Sequence, residues 1–157
     1  MGSGRFTIEF FEDEAGRSPV EEWMESDLTD LELAALLSAF EHVLQSHGVQ
    51  VCGTEWGTQL GDGLFEFRIR HSADEIKSMF GGASGTGRDG GKVLLRVFCH
   101  AYGNKIVLLL NGYDKGEDPS EKRQQKEIRL ARKRLVAFRG RQARDRKAER
   151  QGRRRKQ

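Results

Sequence analysis

A chain of 157 residues with 36% apolar content can fill one ordinary core, and none of its apolar runs exceeds five residues, which is far too short to cross a bilayer. Its two cysteines, Cys52 and Cys99, lie far apart without CxxC or Cys-His spacing, so neither a disulfide framework nor a zinc site is expected. The formal net charge of +3 conceals an asymmetry: residues 121–157 hold 17 Lys and Arg against 4 Asp and Glu, leaving 10 against 20 for residues 1–120. A reducing, cytoplasmic setting and a polyanionic partner are the expectations that follow.

Residues 5–11 alternate Phe6, Ile8 and Phe10 against Arg5, Thr7 and Glu9, which predicts a short strand. Ser18-Pro19-Val20-Glu21 then supplies a capping serine, a first-turn proline and a glutamate three residues on, with Val20, Trp23, Met24 and Leu28 as a helical stripe. Thr29-Asp30-Leu31-Glu32 repeats the capping box, with Leu33, Leu36, Leu37, Phe40 and Leu44 as the buried face and Gly48 as the stop. Two adjacent amphipathic helices should form a hairpin on one face of a sheet. Residues 49–63 are polar and glycine-containing, and read as a loose connection anchored by Trp56 and Leu60.

Three apolar stretches follow, residues 64–70, 93–99 and 106–110, and predict an antiparallel meander. In the first, Phe65, Phe67 and Ile69 share one face while Arg68 and Arg70 share the other. Arg96 is the sole polar residue of the second stretch and so should need a partner. An exposed basic sheet face of this kind suits a phosphate-bearing ligand. Residues 71–77 predict a short helical turn, residues 79–91 a glycine-dominated hairpin tip, and Tyr102-Gly103-Asn104 a tight turn. After Tyr113 and Lys115, Asp118-Pro119-Ser120-Glu121 opens a last helix with a thin stripe of Ile128, Ala131, Leu135 and Phe138, which Gly140 should end. Residues 141–157 read as a disordered basic tail.

Gly85-Thr86-Gly87-Arg88-Asp89-Gly90 satisfies G-x-G-x-x-G but leads into a strand instead of a helix, so the dinucleotide context is missing. Histidines 42, 47, 71 and 100 show no metal-binding spacing. No cofactor and no metal are expected. His71 and His100 each end an arginine-bearing strand, where an imidazole can move protons, although a polar strand end is the plainer reading.

The order of strand, helical hairpin, Gly-Leu-Phe-Glu-Phe-Arg-Ile-Arg, Leu-Arg-Val-Phe, and Ile-Val-Leu-Leu-Leu-x-Gly-Tyr-x-Lys before a basic helix resembles the RelE and ParE toxin superfamily, in particular its HigB-like, phage-derived branch. The resemblance covers about residues 5–138. It implies an α+β fold with an N-terminal strand, a helical hairpin packed on a mainly antiparallel four-stranded sheet, and a C-terminal helix, in a toxin domain spanning residues 1–140. It also implies the toxin of a type II toxin-antitoxin pair: a metal-independent endoribonuclease that cleaves mRNA in the ribosome and is inhibited by a helix-turn-helix, HigA-like antitoxin. On that reading Arg96 and Arg68 stabilise the scissile phosphate, Tyr113 stacks or relays a proton, Lys115 meets the backbone or transition state, and His100 is a candidate base. Arg70, His71 and Lys105 would bind RNA. Two alternatives use the same residues differently: a ParE-like, non-catalytic binder of a topoisomerase, and a non-catalytic, phage-derived nucleic-acid-binding domain.

Overall fold

The computed structural model describes residues 5–81 and 92–155. Its strands are β1 Thr7–Phe10, β2 Gly57–Gly61, β3 Leu64–Ile69, β4 Leu95–Tyr102 and β5 Ile106–Asp114. They form one mixed sheet in the order β1-β5-β4-β3-β2, in which β1 runs parallel to β5 and every other pairing is antiparallel. The α+β class is as expected, but the sheet has five strands, not four. The extra strand, β2, lies in the stretch read as a loose connection. Its sequence, GTQLG, carries no apolar alternation, because an edge strand can be held by backbone hydrogen bonds alone. Gly57 is required there: a Cβ would sit 2.8 Å from a Val51 methyl and 3.0 Å from the Glu66 carbonyl oxygen.

The helical hairpin forms as its caps predict. Ser18 accepts from the Glu21 N–H to start α1, Pro19–Ser26, and Thr29 and Glu32 exchange both bonds of a capping box to start α2, Asp30–Ala39. A π-helical turn, Phe40–Leu44, and a last turn, α3, Gln45–His47, carry the helix to Gly48. There a φ of +54° and the Phe6 ring, 2.5 Å from where a Cβ would stand, both call for glycine. Val20, Leu36 and Leu44 from this layer meet Phe65, Phe67, Val97 and Leu109 from one sheet face in the larger core.

A second core lies on the opposite face, where Ala131 and Leu135, flanked by Ile128 and Phe138, pack on Leu64, Phe98, Leu108 and Leu110. These helical residues belong to α5, Glu121–Arg155, whose start is capped by the Ser120 hydroxyl accepting from the Arg123 N–H. The structure departs from the sequence pattern in two places. The face carrying Arg68 and Arg96 is roofed by α5 instead of lying open, because the helical stripe thought thin still buries Ala131 and Leu135 completely or nearly so. The helix also continues through Gly140 to Arg155, so residues 141–155 are helical and not a disordered tail. A single helical glycine costs only about 1 kcal/mol relative to alanine, and its Arg, Lys, Gln and Ala neighbours are good helix formers.

The expected turn after β3 is a short helix, α4, Ala73–Met79, capped by Ser72. The predicted hairpin tip and its G-x-G-x-x-G segment fall almost wholly on residues 82–91, outside the described residues. Among the described residues no helix is long and apolar enough to cross a membrane.

Candidate functional site

The register of the central strands sets Arg68 opposite Arg96, and Arg96 opposite Tyr113, in one row beneath the first turns of α5. Two arginines directly across from one another repel, so the row requires an anion. Glu66, two residues before Arg68 and therefore on the same face, supplies it. The Nε of Arg68 donates to Glu66 Oε2 at 3.1 Å, and the Nε of Arg96 lies 3.8 Å from Glu66 Oε1. Arg68 also donates to the Thr58 hydroxyl on β2.

The helix closes the row from above. Gln124 Nε2 donates to Glu66 Oε1 at 3.0 Å, and the Arg123 guanidinium stands 5.1 Å from the centre of the Tyr113 ring. Arg123 is in turn paired with Glu127 at 3.0 Å, and Glu127 accepts from Asn111 Nδ2 at 3.2 Å. Arg96 is only 3% exposed, Glu66 2% and Tyr113 0%. Yet the Nε of Arg96, the hydroxyl of Tyr113 and Oδ1 of Asn111 make no hydrogen bond. Each such buried orphan costs on the order of 1–3 kcal/mol, an outlay that packing alone gives no reason to keep.

Electrostatics follow from this enclosure. Burial lowers the pKa of Arg96, opposed by the charge of Glu66, while Arg70 and Arg68 push the same way as burial. Burial and then Glu66 raise the pKa of Tyr113, opposed by Arg96, so the phenol is held as a proton donor. The row thus combines a fixed guanidinium, a protonated hydroxyl and a carboxylate within one buried cluster. Such a set is suited to gripping phosphate oxygens and moving a proton beside them.

Of the other residues singled out in the sequence, Arg70, His71 and Lys115 lie at the same end of the sheet as this row. Arg70 is exposed just past β3. The Lys115 N–H bonds the Leu94 carbonyl where β4 and β5 begin and end. His71 stands against Trp56 with ring centres 5.4 Å apart and is bracketed by Glu55 and Glu75. Burial lowers its pKa, but hydrogen bonds to Glu55 and Glu75 outweigh that and leave it raised.

His100 and Lys105 are not brought to the row. His100 pairs with Leu64 at the far end of β4, about 13 Å along the strand from Arg96. Its Nδ1 is 2.8 Å from the Gly63 carbonyl, its ring packs edge-on to Phe138, and burial lowers its pKa, opposed by the Gly63 bond. Lys105 lies in the turn before β5, its ammonium 5.2 Å from the centre of the Phe6 ring.

Glu66 is the member that sequence reasoning missed, although the signal was present: an acidic residue on the arginine-bearing face of an apolar strand. Arg123, Gln124, Glu127 and Asn111 carried no local signal. Gln124 meets Glu66 across 58 residues of chain, and nothing short of the docking of α5 reveals it. No protein-family model matches the chain, and no curated protein matches it.

Proposed function

We propose that this chain is a RelE/ParE-type toxin, HigB-like, that cleaves mRNA on the ribosome without a metal ion and is held in check by a helix-turn-helix antitoxin. The observation that carries this reading is the row Arg68, Arg96 and Tyr113 on three adjacent strands, in which the Arg96 Nε, though ion-paired with Glu66, and the Tyr113 hydroxyl make no hydrogen bond. In such a reaction the 2′-hydroxyl attacks its own phosphate, so the protein must orient that hydroxyl and neutralise the charge that develops on phosphorus-bound oxygens. Arg96 and Arg68 serve the second task through their planar forks. In this mechanism Glu66, released from Gln124, accepts the proton from the 2′-hydroxyl and Tyr113 donates one to the leaving 5′ oxygen. Arg70 and Lys115, at the open rim of the same end, would meet the flanking backbone. Substrate entry requires the first turns of α5, with Arg123 and Gln124, to swing away from the row.

The experiment is mapping of mRNA 5′ ends after induced expression, repeated in a purified translation system. Ribosome-dependent cleavage that disappears in Arg96→Lys, at unchanged circular dichroism, is the expected result. Rapid cleavage of naked RNA would sink the ribosome dependence. No new 5′ ends at all would sink the ribonuclease reading.

The burial of Arg96 and Tyr113 beneath α5 favours a second reading, a non-catalytic protein of the same kind that acts by binding. In that case Arg96→Lys and Tyr113→Phe leave any toxicity unchanged.

A further inference from the structure

We propose that the outer ridge of α5 is a nucleic-acid-binding surface that engages the phosphodiester backbone without regard to base sequence. At 100° per residue, Lys122, Lys126, Arg129 and Lys133 fall on one line along the helix, and Arg144, Lys147 and Arg154 continue the same line. All of them are exposed. From Lys122 to Arg154 the line runs about 48 Å at 1.5 Å per residue.

The acids of α5 keep off this line, while its other basic residues are spread around the helix. Glu127, Asp145 and Glu149 fall on the same side of the helix as Ala131, Leu135 and Phe138, the side whose first half packs on the body. Glu127 is bonded to Asn111, and Asp145 lines a cavity of about 420 Å³ with Phe10, Phe11 and Glu12 of the β1 edge. No acid of α5 stands on the basic line. The acidic hairpin α1–α2 cannot neutralise the line from within, since it packs on the opposite face of the sheet.

The only large apolar residue on the line is Val136, 69% exposed, so the ridge has no Trp, Phe or Leu to sink into lipid and no a/d seam to pair with another helix. A partner must instead present negative charge repeated over tens of ångströms, which a phosphodiester strand does and scattered carboxylates on a protein do not.

The inference does not rest on the ribonuclease reading, and its test needs neither ribosome nor cleavage. Fluorescence anisotropy of the full chain would follow binding to an RNA duplex, a DNA duplex and an RNA single strand over about 50–300 mM KCl. The expected result is a linear fall of log K with log salt. In Lys126→Gln/Arg129→Gln/Lys133→Gln the duplex slope should shrink by about two to three, and affinity at low salt by at least about tenfold. The same should hold in Arg144→Gln/Lys147→Gln/Arg154→Gln. A control of equal charge change away from the ridge, Arg17→Gln/Lys77→Gln/Lys92→Gln, should leave the slope unaltered. Salt-dependent binding that falls in the ridge variants upholds the surface whichever of RNA and DNA binds tighter; a preference names the ligand class, and equal binding marks a surface that reads only the phosphodiester backbone. An equal loss in the control, a salt-independent affinity, or binding only to phosphatidylserine vesicles would overturn it.

Discussion

Arg96 stands at the centre of the buried row, with Arg68 across from it on one side and Tyr113 on the other. It interrupts an otherwise apolar strand, is 3% exposed, and has its charge answered by a Glu66 oxygen 3.8 Å away, too far for a hydrogen bond. Breaking a buried ion pair from one side leaves a charge stranded, so Glu66→Ala should cost about 3–5 kcal/mol in urea unfolding. Tyr113→Phe offers the opposite case. The phenol oxygen has no hydrogen-bond partner, so its removal should change stability by less than about 1 kcal/mol while the ring keeps its packing on Phe98, 6.2 Å between centres. Loss of mRNA cleavage in that variant, at unchanged stability, would therefore report on chemistry; retained cleavage would remove Tyr113 from the mechanism.

At the level of elements, the helical hairpin is fastened to the end of β5 by a pair of carboxyl groups. Asp114 hydrogen-bonds Glu32 of the α2 capping box and also accepts from the Gly116 N–H at 2.8 Å. Burial, then the Glu32 bond, raise the Asp114 pKa from 3.8 to about 6, while that of Glu32 is lowered, so the shared proton resides on Asp114. Because the folded state holds this proton more tightly than the unfolded chain, the stability it contributes is full below about pH 4 and is lost as pH rises through about 6. Asp114→Asn, which keeps both hydrogen bonds, should melt higher than the parent near pH 7.5 and level with it near pH 4 in paired thermal scans. Close packing makes the same junction intolerant: a Cβ at Gly112 would stand 2.4 Å from the Trp23 ring.

At the scale of the whole molecule, the long basic helix divides into a half that belongs to the fold and a half that does not. Among the described residues its last hydrogen bond to the body is from Arg141 to the Glu12 carbonyl, and residues 143–154 are exposed throughout. Ending the chain after Gln142 should therefore leave Tm within about 2 °C, whereas cutting before Ala131 should unfold it, both read by circular dichroism. Much of this architecture is legible in residue order. The caps at Ser18 and Thr29, the stop at Gly48, the alternation of Phe65, Phe67 and Ile69, and the partner demanded by Arg96 are local patterns, because period and capping chemistry act over a few residues. Strand β2 is not legible, since its place depends on the edge of β3 and not on its own side chains. Nor is the roof over the arginine row. Whether α5 lies across that face is settled by Ala131 and Leu135 reaching Phe98, Leu108 and Leu110 and by Gln124 reaching Glu66, contacts between segments remote in sequence. Residue type alone marks a charge that needs company; only the packing of distant elements decides which group provides it, and whether solvent is left beside it.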